Sequence, residues 1–157
     1  SWLQAFPEAR QGQLWRLITP IFLHFGFIHL LFNMMWLKDL GGAIEQRKGP
    51  VLLAVMVVVM AVFSNSAEYL LSTSRFGGMS GVVYGLLGYI WMKGKYDPAC
   101  GLRLHSSTVT MMIAWFVLGF TGLLWAPVAN MVHAGGLVAG VVWGFLSSRG
   151  VRPPPQR

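Results

Sequence analysis

Long apolar stretches alternate with short polar breaks that carry glycine or proline, and this alternation predicts the elements of the chain. Residues 27–46 form the first stretch able to cross a membrane, interrupted by His29, Asn33, Lys38 and Asp39. Arg47-Lys48-Gly49-Pro50 reads as a turn, with Pro50 suited to the first position of the next helix. A second span covers 51–71, and a polar, glycine-rich connection covers 72–79. Residues 80–92 make a short third span, 93–106 a loop with Gly94, Asp97-Pro98 and Gly101, and 107–121 a fourth span. A short apolar loop with Pro127, over 122–128, leads to a fifth span at 129–147. The first eighteen residues mix aromatics with Glu8, Arg10 and Arg16 and read as an interfacial segment. The expected fold class is all-α: a polytopic transmembrane helix bundle over 1–148, with 149–157 as a disordered cytoplasmic tail.

Composition agrees with this pattern. Apolar residues make up 55% of the chain and charged residues 11%, far from the soluble average. The net charge of +7 does not indicate nucleic acid, because the basic residues form no stripe with interleaved aromatics. They sit between the apolar stretches, as topology signals do. Arg47 and Lys48, then Lys93, Lys95 and Arg103, then Arg149, Arg152 and Arg157 fall on one side of five spans. The other side holds Arg10, Arg16 and Arg75. The tail is therefore expected in the cytoplasm and Ser1 outside, which with no cleavable signal predicts a preceding span missing from this sequence. A lone Cys100 excludes an intramolecular disulfide.

The chemistry centres on Phe76-Gly77-Gly78-Met79-Ser80-Gly81-Val82-Val83-Tyr84-Gly85. Gly78 before the serine allows a sharp turn and a close approach by another group. A serine opening a helix has unpaired N–H groups and the positive dipole end beside it, a suitable place for an oxyanion. The plainer reading is a helix N-cap with glycines for packing. Depth separates the two. With Lys93 as the inner boundary, the third span is roughly 20 Å of helix against a hydrocarbon core of about 30 Å, so Ser80 lies within the membrane. On the fifth span His133 lies about 24 Å above Arg149, and on the first Asn33 lies about 21 Å above Arg47, with His29 one turn higher. These polar groups share a layer with Ser80. Gly136, Gly140 and Gly144 share the face of His133, and Gly81, Gly85 and Gly88 form a stripe beside Ser80 and Tyr84, so the two helices can approach closely.

An imidazole suits the role of base to a serine. Of the acids, only Glu68 lies near the outer end of a span, so a Ser80–His133 dyad without a carboxylate is the simpler reading. His29 and Asn33, with the Ser80 amide, then serve as oxyanion donors, and Tyr84 stacks on the imidazole or is simply core. No cofactor is expected. His24 and His29 are about 140° apart around a helix, poor for joint chelation, and His105 lies in an inner loop. A transporter could use midplane histidine and asparagine, but has no need of a serine at a glycine-bounded helix start.

His24-x4-His29-x3-Asn33, Gly78-Met79-Ser80-Gly81 with Tyr84, Asn130-x2-His133-x2-Gly136, and Trp15-Arg16 together resemble the rhomboid intramembrane serine proteases of bacterial type. The resemblance implies Ser80 as nucleophile and His133 as general base, with His29, Asn33 and the Ser80 amide as the oxyanion hole. It marks His24, Gly78 and Asn130 as supporting residues and Arg16 as structural. It implies that residues 122–128 cap the site and that Phe32 and Trp115 flank the lateral entry of transmembrane protein substrates. It also implies the bacterial inner membrane, with the site opening outward, and six spans where five are present. A catalytically silent relative that binds membrane clients is the alternative.

Overall fold

Pro50 opens the longest helix, and the elements around it fall close to the breaks in the sequence. The computed structural model describes residues 11–72, 76–121, 123 and 128–149. The expectations for Glu8, Arg10 and Arg75, for most of the 122–128 loop, and for the tail beyond Arg149 lie outside the described residues. Two 3-10 turns, Leu14–Leu17 and Thr19–Phe22, come first. Then follow α1 (Phe27–Trp36), a π turn (Leu37–Gly41), α2 (Gly42–Lys48), α3 (Pro50–Leu71), α4 (Ser80–Tyr96), α5 (Ser106–Phe120) and α6 (Asn130–Leu146). The described residues contain no strand.

The stretch expected as a single span over 27–46 is one continuous helical run in three pieces, since both Trp36 and Gly42 keep right-handed helical dihedrals. The π turn buries Leu40 and Gly41 and leaves Lys38 and Asp39 exposed. The junction with α3 is sharp because Gly49 takes φ 87°.

The third span departs from expectation. Lys93 does not end it: α4 continues to Tyr96, and Lys93 is buried. Its Nζ donates to Asp97 Oδ2 at 2.5 Å, one turn further along, so the helix absorbs the charge by pairing it. The helix is thus about 25 Å long, and Lys93 is no boundary from which to measure the depth of Ser80.

Helix α4 is the centre of the bundle, buried at every residue from Gly81 to Ile90. Its glycine face meets that of α6 backbone to backbone. A Cβ on Gly136 would strike the carbonyl of Gly81, and one on Gly140 the carbonyl of Gly85. Such contact is available only to residues without side chains, the small-residue packing of membrane helices. Helix α3 lies across both partners, with Ser64 against Gly81 and Ala67 against Gly135. Large apolar side chains face outward, among them Phe32, Val51, Phe63, Trp115 and Val138. Among the described residues α3 alone is long and apolar enough to cross a membrane by itself; α5 and α6 are shorter apolar helices.

Candidate active site

Ser80 is the first residue of α4, preceded by a turn that only glycine tolerates. Gly78 has φ +114°, and its N–H donates to Pro20 O at 3.0 Å, fastening the turn to the leading segment. At the first helical position the amide of Ser80 has no acceptor within the helix. The side chain points across the α4–α6 contact, where Oγ lies 2.8 Å from His133 Nε2. This hydroxyl donates to Nε2 when the ring carries its proton on Nδ1. His133 is buried, and its Nδ1 has no hydrogen-bond partner among the described residues.

The imidazole rests on Tyr84, one turn below Ser80, with ring centroids 4.7 Å apart and planes at 36°. Tyr84 is itself held at the far end, its hydroxyl donating to Met112 O on α5 at 3.0 Å. The ring of Phe116 meets it edge-on.

His29 and Asn33 reach the serine turn from α1. A Cβ on Gly78 would lie 2.6 Å from His29 Cε1 and 3.6 Å from Asn33 Nδ2, so the bare glycine admits both side chains. Asn33 is buried, and its Nδ2 donates to His29 O at 3.0 Å, which leaves the second amide hydrogen available. His24 lies beside His29, with ring centroids 5.2 Å apart and planes tilted by 57°, rather than joining the serine–histidine pair. Asn130 lies at the start of α6 and ties it to the end of α5, Nδ2 donating to Gly119 O at 2.9 Å. Phe32 and Trp115 lie away from this cluster, more than half exposed on the outer surfaces of α1 and α5. The exposed Arg16 side chain is bonded to Gln13 at 2.6 Å.

Two polar residues absent from the sequence-based site belong to its frame. Asn65, buried in α3, donates to Leu17 O at 2.8 Å and holds the leading segment. Glu68, one turn along α3 and 2% exposed, accepts the N–H of Val132 at 3.0 Å, beside His133. Acid and amide within a span were the available signals. Among the described residues no cluster of His, Cys, Asp or Glu could hold a metal ion.

Helices joined through bare backbone, with apolar faces turned outward and polar groups collected inside, make this a polytopic membrane helix bundle. The chain belongs to the rhomboid family: the Rhomboid domain matches residues 11–150. It is 40% identical over 151 residues to the Rhomboid protease GlpG of Yersinia pestis (strain Pestoides F), covering 95% of this chain and 54% of that protein. It is 42% identical over 149 residues to the Rhomboid protease GlpG of Serratia proteamaculans (strain 568), covering 95% and 53%. The chain thus spans about half the length of the curated relatives it matches.

Proposed function

We propose that this chain is the catalytic bundle of an intramembrane serine endopeptidase, with Ser80 as nucleophile and His133 as general base. The observation that carries this reading is the 2.8 Å contact between Ser80 Oγ and His133 Nε2, made between two helices whose spacing is set by glycine. Relatives named as proteases support the same reaction class.

In the proposed reaction His133 Nε2 takes the hydroxyl proton as Ser80 Oγ adds to the substrate carbonyl carbon. The carbonyl oxygen becomes an oxyanion, stabilised by the Ser80 amide, the free Asn33 amide hydrogen and His29. The imidazolium returns its proton to the departing amine as the C–N bond breaks, leaving an acyl-serine. Water, deprotonated by His133, then releases the acid. No carboxylate orients the ring through Nδ1 among the described residues; Tyr84 supports its face instead. The chemistry is that of a dyad.

Substrates are proposed to be transmembrane segments of other proteins, entering sideways between α1 and α5 past Phe32 and Trp115. A helical segment must unwind to expose its carbonyl, which favours small or helix-weakening residues near the cut. The proposed setting is the bacterial inner membrane, with the site open to the outer side and Arg149 at the cytoplasmic face.

A fluorophosphonate probe tests the assignment. Ser80 should be labelled in the folded chain, S80A should not be, and H133A should label at least a hundredfold more slowly. Equal labelling of H133A, or none of the folded wild type, rejects the dyad. A client-binding relative would leave a transmembrane substrate intact while still retaining it.

A further inference from the structure

The imidazole of His133 has no orienting hydrogen bond at Nδ1 among the described residues, so beyond the Tyr84 ring against its face its direction depends on where the first turn of α6 is held. That turn lacks its ordinary support. The N-cap residue is Ala129, whose side chain has no acceptor, and the helix has no side-chain cap from that position. An acceptor arrives from another helix instead. Glu68 of α3 takes the N–H of Val132, the third residue of α6, at 3.0 Å, while the same N–H also reaches Ala129 O at 3.1 Å. Glu68 is 2% exposed, and burying a carboxyl group in a membrane helix is costly unless it is bonded. The carboxylate faces the positive end of the α6 dipole.

With Ser80 and His133 as the reacting pair, as proposed, we infer that Glu68 is a positioning residue that caps α6 across the helix interface and thereby aims His133 at Ser80. In familiar triads an acid holds the histidine ring by Nδ1. Here the acid grips the backbone amide one residue before the histidine. The bond needs an acceptor oxygen at that reach, not a charge, so glutamine fulfils it and leucine does not. A shift of the ring of about 1 Å costs on the order of a hundredfold in rate. Substrate touches Ser80, not Glu68, so the loss falls on kcat and spares KM.

The test uses the full chain in detergent and in liposomes, with a fluorogenic transmembrane peptide, the fluorophosphonate labelling rate and thermal unfolding read together. E68L is expected to lose ten- to a hundredfold in kcat and in labelling rate, with KM within twofold. E68Q is expected to restore both rates to within about threefold of wild type, since its amide oxygen keeps the acceptor. Should E68L fail to fold, E68D carries the test: its carboxyl group is withdrawn by one methylene and kcat should fall in the same way. Wild-type kcat in folded E68L or E68D overturns the positioning role, as does a folded E68Q as slow as E68L. Wild type that neither cleaves nor labels, like S80A, instead overturns the reacting pair itself, and the role of Glu68 with it.

Discussion

At the scale of single residues, the site depends on a few atoms placed where only one residue type fits. Asn33 uses one amide hydrogen on His29 O at 3.0 Å, which leaves the other for the proposed oxyanion. Losing a single oxyanion donor costs roughly a hundred- to a thousandfold in kcat, so N33A should show that loss in steady-state cleavage with little change in KM. Gly78 is constrained twice, by φ +114° and by the His29 ring 2.6 Å from where a Cβ would be. The backbone strain alone costs about 1–3 kcal/mol, so G78A should unfold earlier in a thermal melt. Its cleavage should fall further than its stability, because the new methyl group pushes His29 off the serine turn. The polar residues that meet here were legible as one layer: Ser80 by its glycine neighbours, His133, His29 and Asn33 as polar groups inside apolar stretches, with glycine stripes to draw the Ser80 and His133 helices together. Their distances were not, because a 2.8 Å contact between residues 53 positions apart comes from packing that no local pattern encodes. Glu68 was visible as the acid near the outer end of a span, yet the group it accepts from on α6 is a backbone N–H, and backbone groups leave no mark in a sequence.

At the scale of elements, α6 is the part that must be placed correctly, and it is held along its length and at both ends. Its glycine face fixes its distance from α4, so G140A should force the two backbones apart at Gly85. Overpacking of this kind costs about 1–3 kcal/mol, seen as a lower melting temperature in detergent, with kcat falling as Ser80 and His133 separate. At the N-terminal end stands Glu68; at the C-terminal end Lys93 Nζ reaches Ser147 O at 3.3 Å while paired with Asp97. Acid at the start and base at the end both suit the helix dipole. K93M leaves Asp97 buried without its counter-charge, a loss on the order of 3–5 kcal/mol, whereas K93M/D97L removes both charges and should recover much of it. Unfolding K93M, D97L and K93M/D97L side by side checks this, and a double variant that loses the sum of the two single losses would mean that the pair is not coupled. Helix limits were largely legible because proline, glycine and polar runs punctuate the chain. The end of α4 was misjudged because a lysine looks like a boundary until its partner four residues on is taken into account. The π turn at Leu37–Gly41 has no sequence signature beyond the charges it turns outward.

At the scale of the whole molecule, the basic residues converge on one end of the bundle, though they come from separate breaks in the chain. Arg47, in the last turn of α2, packs its guanidinium against Gly101 in the α4–α5 connection. Lys93 reaches the end of α6, where Arg149 lies over the Phe145 ring at 5.0 Å. Lys95, in the last turn of α4, and Arg103, in the connection that follows, lie at the same end, which thus gathers positive charge from three places in the chain. Translocating such loops is unfavourable, and the end that carries them is expected to stay in the cytoplasm. Helix α5 gives the cleanest test, since His105 and Thr121 flank it at opposite ends and both are exposed. Fifteen residues separate them, roughly 22 Å of helix, enough to place the two on different faces of a thin hydrocarbon layer. In a C100S background, which removes the native thiol, T121C should react with an impermeant maleimide added outside intact spheroplasts. H105C should react only once the membrane is opened. The reverse pattern would invert the bundle and turn the Ser80 mouth toward the cytoplasm; labelling of both from outside would mean that α5 does not cross. The expected pattern puts the serine turn, which lies at the end of the bundle opposite Arg47 and Lys95, at the outer face.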